Sequence, residues 1–198
     1  MNMHKDPLGD RFGMWLFLFS EILLFGALFV IYSVYFSKYQ ADFIAGGRQL
    51  DLFFGTFNTV ILLISSFTVA ASITALRNRQ RKTALALLGF SISVGLVFLY
   101  NKYMEWGHKI HLGIYPDSPW LKEQSHGTNM FFGLYYVTTG LHALHVIIGG
   151  TLLAVSFAVI LKNKVDPEHP TLLENCGLYW HLVDLIWIFV FPLFYLSH

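Results

Sequence analysis

Five long apolar runs, each about the length of a membrane-spanning helix, constrain this chain more than any other feature. A helix needs about 20 mainly apolar residues to cross the hydrocarbon core of a bilayer. Runs of this kind cover residues 12–36, 52–76, 83–104, 128–161 and 173–196. The sequence therefore predicts an all-α protein, an integral membrane bundle of five transmembrane helices that forms a single domain over residues 1–198.

The composition agrees with a membrane location and excludes several other classes of protein. Hydrophobic residues make up 55% of the chain and charged residues only 13%, and the mean hydropathy is +0.54. The net charge of +1 gives no indication of a nucleic-acid partner. One cysteine, Cys176, excludes an internal disulfide and a cysteine-rich metal or redox site.

Basic residues predict the orientation of the bundle, because Lys and Arg in short loops stay on the cytoplasmic side. The densest basic cluster, RNRQRK at residues 77–82, joins the second and third runs. With that loop inside, the N-terminus is inside and the C-terminus outside. The same side then holds Lys5, Arg11, Lys162 and Lys164. Proline and glycine within residues 108–128 predict an irregular outer segment that caps the bundle, and not a sixth span.

Ionisable residues inside the predicted spans are the candidate functional residues, since such groups are costly in hydrocarbon. Glu21 falls near the middle of the first span. His142 and His145 in the fourth span, and His181 and Asp184 in the fifth, are each spaced i and i+3, so each pair shares a helix face. All five residues could therefore occupy one layer of the bundle, although the sequence does not fix how each helix is rotated.

Three interpretations of these residues remain open. They could fasten neighbouring helices by hydrogen bonds, relay protons, or ligate a metal or haem. A di-iron bundle would need Glu-x-x-His pairs and more acids than the sequences HALH and HLVD supply. Glu105 and Trp106 are candidates at the outer boundary, where aromatic belts and solvated acids are common.

Three blocks of sequence resemble one family. LFLFSEILLFGALF around Glu21, FFGLYYVTTGLHALHVIIGG around His142 and His145, and YWHLVDLIWIFVFPLFYL around His181 and Asp184 are similar to subunit III of the haem-copper respiratory oxidases. The order and spacing of all three blocks match, and together they cover most of the chain.

The resemblance implies a subunit without a catalytic centre in an oxidoreductase and translocase complex. In that family, haem and copper belong to partner subunits, and subunit III packs directly against subunit I in a complex that also contains subunit II. The resemblance implies no catalytic residue, no metal ligand and no cofactor in this chain. Glu21 corresponds to the family's acidic residue, and the other four candidates correspond to buried polar positions that serve structure, lipid contacts or interfaces.

The family also gives expectations about location and bound lipid. Many members have seven helices, and this chain resembles the five-helix bacterial form. We expect it in the bacterial cytoplasmic (inner) membrane, surrounded by membrane lipids, with phospholipid as a candidate ligand and a respiratory supercomplex as a candidate assembly. If lipid binds, it should lie between this subunit and a neighbour.

The resulting functional hypothesis is a non-catalytic subunit III of a proton-pumping terminal oxidase of the cytochrome c oxidase type, which reduces oxygen to water during aerobic respiration. Its expected role is to support the stability of subunit I and proton uptake. One alternative is the same accessory role in a quinol oxidase or a nitric oxide reductase. Another is a stand-alone haem or metal enzyme that uses His142, His145 and His181.

Overall fold

The computed structural model describes residues 7–163 and 171–196, and every regular element in these ranges is a helix. Each of five long helices contains a stretch long and apolar enough to cross a membrane, which confirms the predicted fold class. The long helices are α1 (Pro7–Lys38), α3 (Leu52–Arg77), α4 (Arg81–His111), α6 (His126–Leu161) and α7 (Thr171–Tyr195). The short helices are α2 (Gln40–Gly47) and α5 (Pro119–Lys122).

The long helices alternate in direction, and α3, α4, α6 and α7 form a four-helix core with α1 packed along α6 and α7. Trp180 of α7 is fully buried at the centre of this core. Its indole fits between two glycines: a Cβ atom would lie 2.9 Å from the ring at Gly95 and 2.8 Å from it at Gly149. The indole Nε1 donates a hydrogen bond to the Ser65 hydroxyl at 3.0 Å. Small residues on α4 and α6 therefore let one large side chain join all four helices.

One end of the bundle, called here the α5 end, carries both short helices. Helix α2 was not predicted; it packs on α6 through Phe43, which is fully buried 5.4 Å from the ring of Phe131. Helix α4 continues seven residues beyond its predicted end at 104, and Lys109 in this extension donates to the Gln49 carbonyl at 3.0 Å. Helix α5 has four residues, so residues 108–128 contain no sixth span, as predicted.

Side-chain caps fix where helices begin at the α5 end. Asp51 accepts a hydrogen bond from the Phe53 backbone N–H at 2.9 Å before α3. Ser118 and Ser125 cap α5 and α6 in the same way, accepting backbone N–H groups at 3.1 and 3.2 Å. Each cap satisfies a donor that the first turn of a helix leaves free.

The opposite end, called here the turn end, joins α3 to α4 through residues 78–80. Arg79 has a positive φ of 60°, which closes this tight turn. The Arg81 guanidinium donates to the Ile160 carbonyl at 3.0 Å and so caps the C-terminus of α6, while Arg77 pairs with Glu174 of α7 at 2.6 Å. Lys5 and Lys164, which the orientation prediction used, lie outside the described residues, and so do the last two residues of the chain, Ser197 and His198.

Candidate functional site: two buried polar networks

Glu21 and His145 form a hydrogen-bonded pair between α1 and α6. The Glu21 Oε2 atom lies 2.7 Å from His145 Nε2, and the two side chains are 14% and 9% exposed. The other ring nitrogen, Nδ1, lies 2.7 Å from the Leu141 carbonyl, which can only accept a hydrogen bond, so Nδ1 carries hydrogen. Nε2 then faces the carboxyl group with one proton between them. Two of the five predicted residues therefore meet, across two helices.

His142 lies one turn from His145 but does not join this pair. Its side chain is fully buried, with ring centroids 4.9 Å from Trp187 and 5.4 Å from Phe98. Neither ring nitrogen has a hydrogen-bond partner among the described residues. The two histidines were predicted to share a helix face, but in the structure their side chains lie in two different environments.

His181 and Asp184 lie on α7 and contact α3, not α1. His181 Nδ1 is 2.6 Å from the Ser66 hydroxyl. The Asp184 carboxyl group is buried near Ser66, and within the described ranges neither of its oxygens makes a hydrogen bond. The structure therefore brings together only Glu21 and His145 of the five residues expected in one layer, and it separates the i, i+3 pair of α7 from them.

A second polar network, which the sequence analysis missed, lies closer to the α5 end. We call it the Lys102 cluster; it consists of Lys102, Glu105, Tyr135 and Tyr195. The Lys102 and Glu105 side chains are only 2% and 3% exposed, and their charged atoms are 2.9 Å apart. Glu105 was expected among solvated acids at the membrane boundary, and the structure instead buries it against α6 and α7.

Hydrogen bonds within the Lys102 cluster are complete. The Lys102 ammonium donates to Glu105 Oε2 at 2.9 Å, to the Tyr195 hydroxyl at 2.9 Å and to the Tyr135 hydroxyl at 3.1 Å. Both tyrosines donate in turn to Glu105 Oε1, at 2.8 Å from Tyr135 and 2.7 Å from Tyr195. Lys102, Tyr135 and Tyr195 therefore donate only to groups within the cluster, and the net charge of the cluster is zero, as a buried ion pair requires.

Aromatic rings enclose the ammonium group of this cluster. The Lys102 Nζ atom lies 5.0 Å from the centroid of the Tyr135 ring, 5.3 Å from that of Trp187 and 5.5 Å from that of Tyr195. Ring faces attract a cation and shield it from the surrounding hydrocarbon. The i, i+3 spacing of Lys102 and Glu105 was a signal that could have identified the pair from sequence, had the third span been extended beyond residue 104.

Trp106, the other outer-boundary candidate, packs against α6. Its ring centroid is 5.7 Å from that of Tyr136, whose hydroxyl donates to the Ile114 carbonyl at 2.6 Å. Trp106 is therefore an interhelical contact beside the Lys102 cluster and not a member of it.

The polar residues of the described ranges do not converge on a metal. No group of three or more His, Cys, Asp and Glu side chains in residues 7–163 and 171–196 is arranged to hold a metal ion. The chemistry that the two networks can perform is the holding and sharing of protons between carboxyl, imidazole, phenol and ammonium groups.

Comparison with known proteins identifies the family. The family model described as cytochrome c oxidase subunit III matches residues 4–197, nearly the whole chain. The chain belongs to the cytochrome c oxidase subunit III family. This confirms the resemblance drawn from the three sequence blocks. Subunits III are parts of haem-copper oxidases, and this family member is a multi-pass membrane protein that works in a complex with other oxidase subunits.

Relatives of this subunit III differ in the oxidase that they are named for. Cytochrome c oxidase subunit 3 of Synechocystis is 32% identical, over 98% of this chain and 78% of the relative. Heme-copper oxidase subunit I+III of Aeropyrum pernix is 34% identical, over 97% of this chain and 23% of the relative. Cytochrome bo(3) ubiquinol oxidase subunit 3 of Pseudomonas aeruginosa is 28% identical, over 98% of this chain and 87% of the relative.

Proposed function

We propose that this chain is the non-catalytic subunit III of a proton-pumping terminal oxidase of the cytochrome c oxidase type. The observation that carries the proposal is the match to the subunit III family over residues 4–197. The oxidase reduces oxygen to water at haem and copper held by its other subunits, and this chain binds neither. A quinol oxidase is the second candidate, because one relative is named as a subunit of a ubiquinol oxidase.

The chain packs directly against subunit I, within a complex that also contains subunit II. A relative named subunit I+III supports this packing, because one polypeptide then carries both subunits. The Glu21–His145 pair supports it independently. The pair is partly exposed at the surface of the bundle, and ionisable groups in a membrane normally face protein or water and not lipid. Subunit I covers the α1 side, where Glu21 would otherwise meet hydrocarbon.

The role of the chain is to stabilise subunit I and to support proton uptake. Glu21 and His145 share a proton across the α1–α6 contact, so they are the residues suited to a proton-related role. His181 and Asp184 contribute to packing between helices, and the His142 ring lies against Phe98 and Trp187. In this proposal no residue of the chain performs redox chemistry.

The complex lies in a bacterial cytoplasmic membrane with the turn end of this subunit inside. Support comes from the basic residues at that end, namely Arg77, Arg79, Arg81 and Lys82. Phospholipid occupies the groove between α1 and α7, which has a volume of about 550 Å³ and is lined mainly by apolar side chains, including Phe29, Phe36 and Phe189.

Purification through an affinity tag on this chain tests the proposal. We expect the tag to recover a complex that contains subunits I and II, has haem absorption bands and consumes oxygen with reduced cytochrome c. Oxygen consumption with quinol alone would select the quinol oxidase. Recovery of the chain without any haem-copper subunit would overturn the proposal. A haem band that remained with the isolated chain would favour the stand-alone enzyme.

A further inference from the structure

His142 presents two ring nitrogens to the interior of the bundle, and the described residues bond neither of them. A neutral imidazole has one N–H donor and one acceptor nitrogen. Burying both without partners is costly in a low-dielectric interior, and buried polar groups in membrane helices are normally satisfied. The side chain is fully buried, so bulk water cannot supply these hydrogen bonds.

The aromatic residues around His142 do not supply a partner. Phe98 has no polar atom, and the indole N–H of Trp187 already donates to the Thr59 hydroxyl at 3.0 Å. A ligand at His142 must therefore be small, and able both to donate and to accept hydrogen bonds. Water meets both requirements, and internal water commonly satisfies polar groups of this kind.

Along α6, His142 lies between the two polar networks. The ring of Trp187 contacts His142 at 4.9 Å, and the ammonium of Lys102 lies 5.3 Å from the centroid of the same indole. Along α6, Tyr135 of the Lys102 cluster lies two turns to one side and His145 one turn to the other.

We propose that His142 binds internal water, and that this water joins the Lys102 cluster to the Glu21–His145 pair in one proton-exchange path through the bundle. A water molecule donates to the acceptor nitrogen of His142, and a second group or water accepts from its N–H. A proton that arrives at one nitrogen is matched by a proton that leaves from the other, so the imidazole becomes the other neutral tautomer. A transfer in the reverse direction restores the first tautomer, which is sufficient for exchange of protons along the path. The inference concerns this chain alone and does not depend on which oxidase contains it.

The water site is tested by cryo-electron microscopy of the chain purified with its native partners, at a resolution that shows ordered water. We expect density within hydrogen-bond distance of a His142 ring nitrogen in the wild type. We expect none there in His142→Phe, which keeps an aromatic ring and removes both nitrogens. A wild-type map that resolves other buried water but shows none at His142 would contradict the proposal.

The path is tested by deuterium exchange at Glu21, followed by infrared spectroscopy after transfer to D₂O. The Glu21 band is the one that Glu21→Gln removes. We expect His142→Phe to slow the shift of this band relative to the wild type, because Asp/Glu/His chains are the proton relays of membrane helices. His181→Phe, at a residue that contacts Ser66 and lies outside the path, should leave the rate unchanged. An unchanged rate in His142→Phe would show that Glu21 exchanges by another route and would overturn the path.

Discussion

Lys102 holds a charged ammonium group inside a membrane-spanning helix, and Glu105 is its only carboxylate partner among the described salt bridges. Removing one member of a buried ion pair leaves the other charge without compensation, at a cost of about 3–5 kcal/mol. We therefore expect Lys102→Met to destabilise the chain by about that amount. The measurement is the temperature at which half of the tagged, detergent-purified chain is lost from the monodisperse fraction.

Two further variants separate charge from packing in this prediction. Lys102→Met combined with Glu105→Gln removes both charges and should recover part of the lost stability. Lys122→Met breaks the exposed pair with Asp117, whose side chains are 62% and 86% exposed, and should change stability by less than about 1 kcal/mol. Equal losses in Lys102→Met and the double variant would mean that the uncompensated charge is not the cause.

Glu21 gives a prediction about function at the same scale. Gln in its place keeps an amide N–H that can donate to His145 Nε2, which lies 2.7 Å from the carboxyl oxygen in the wild type, but it cannot take up and release the shared proton. We expect Glu21→Gln to assemble normally and to lower sustained oxygen consumption several-fold, with a shorter active lifetime. Oxygen uptake over many turnovers measures this. Sustained activity equal to the wild type would limit Glu21 to a structural role.

At the scale of the helix, the contact between α6 and α7 depends on one glycine and not on its neighbour. A Cβ atom at Gly149 would lie 2.8 Å from the Trp180 indole, whereas nothing lies within 4 Å of a Cβ atom at Gly150. We expect Gly149→Ala to displace Trp180, weaken its bond to Ser65 and destabilise the chain by about 1–3 kcal/mol. Gly150→Ala should be neutral or slightly stabilising. The same thermal assay compares the two variants, and equal losses would contradict this packing.

The positions of the long helices could be predicted from sequence because span length and apolarity are local properties. The sequence placed Glu21 and His145 in one polar layer with three other residues, and it did not single out this pair. Which residues of different helices meet depends on how each helix is rotated about its own axis. Because each span carries apolar residues on every face, the sequence does not determine that rotation. For the same reason the Lys102 cluster was missed, since its members come from three helices. Helix α2 was missed because eight residues are too few for a periodic pattern.

At the scale of the whole molecule, the two polar networks differ in how far the subunit itself encloses them. The Lys102 cluster is closed within α4, α6 and α7, so it needs no neighbour. The Glu21–His145 pair lies where α1 meets α6 and remains partly exposed. The Lys102 cluster therefore needs no contact from another subunit, whereas subunit I, in the complex proposed above, would cover the exposed part of the Glu21–His145 pair.

Site-specific crosslinking tests which side of the molecule meets subunit I. Leu24, one turn from Glu21 on α1, is 42% exposed, and Phe67 on α3 is 73% exposed. Each can be replaced by cysteine and labelled with a photoreactive maleimide, because the native Cys176 is buried. We expect Leu24→Cys to crosslink to subunit I in the purified complex and Phe67→Cys to label lipid or detergent. Crosslinks to subunit I from Phe67→Cys alone would place the interface on the opposite side and leave the partly exposed Glu21 without its proposed cover.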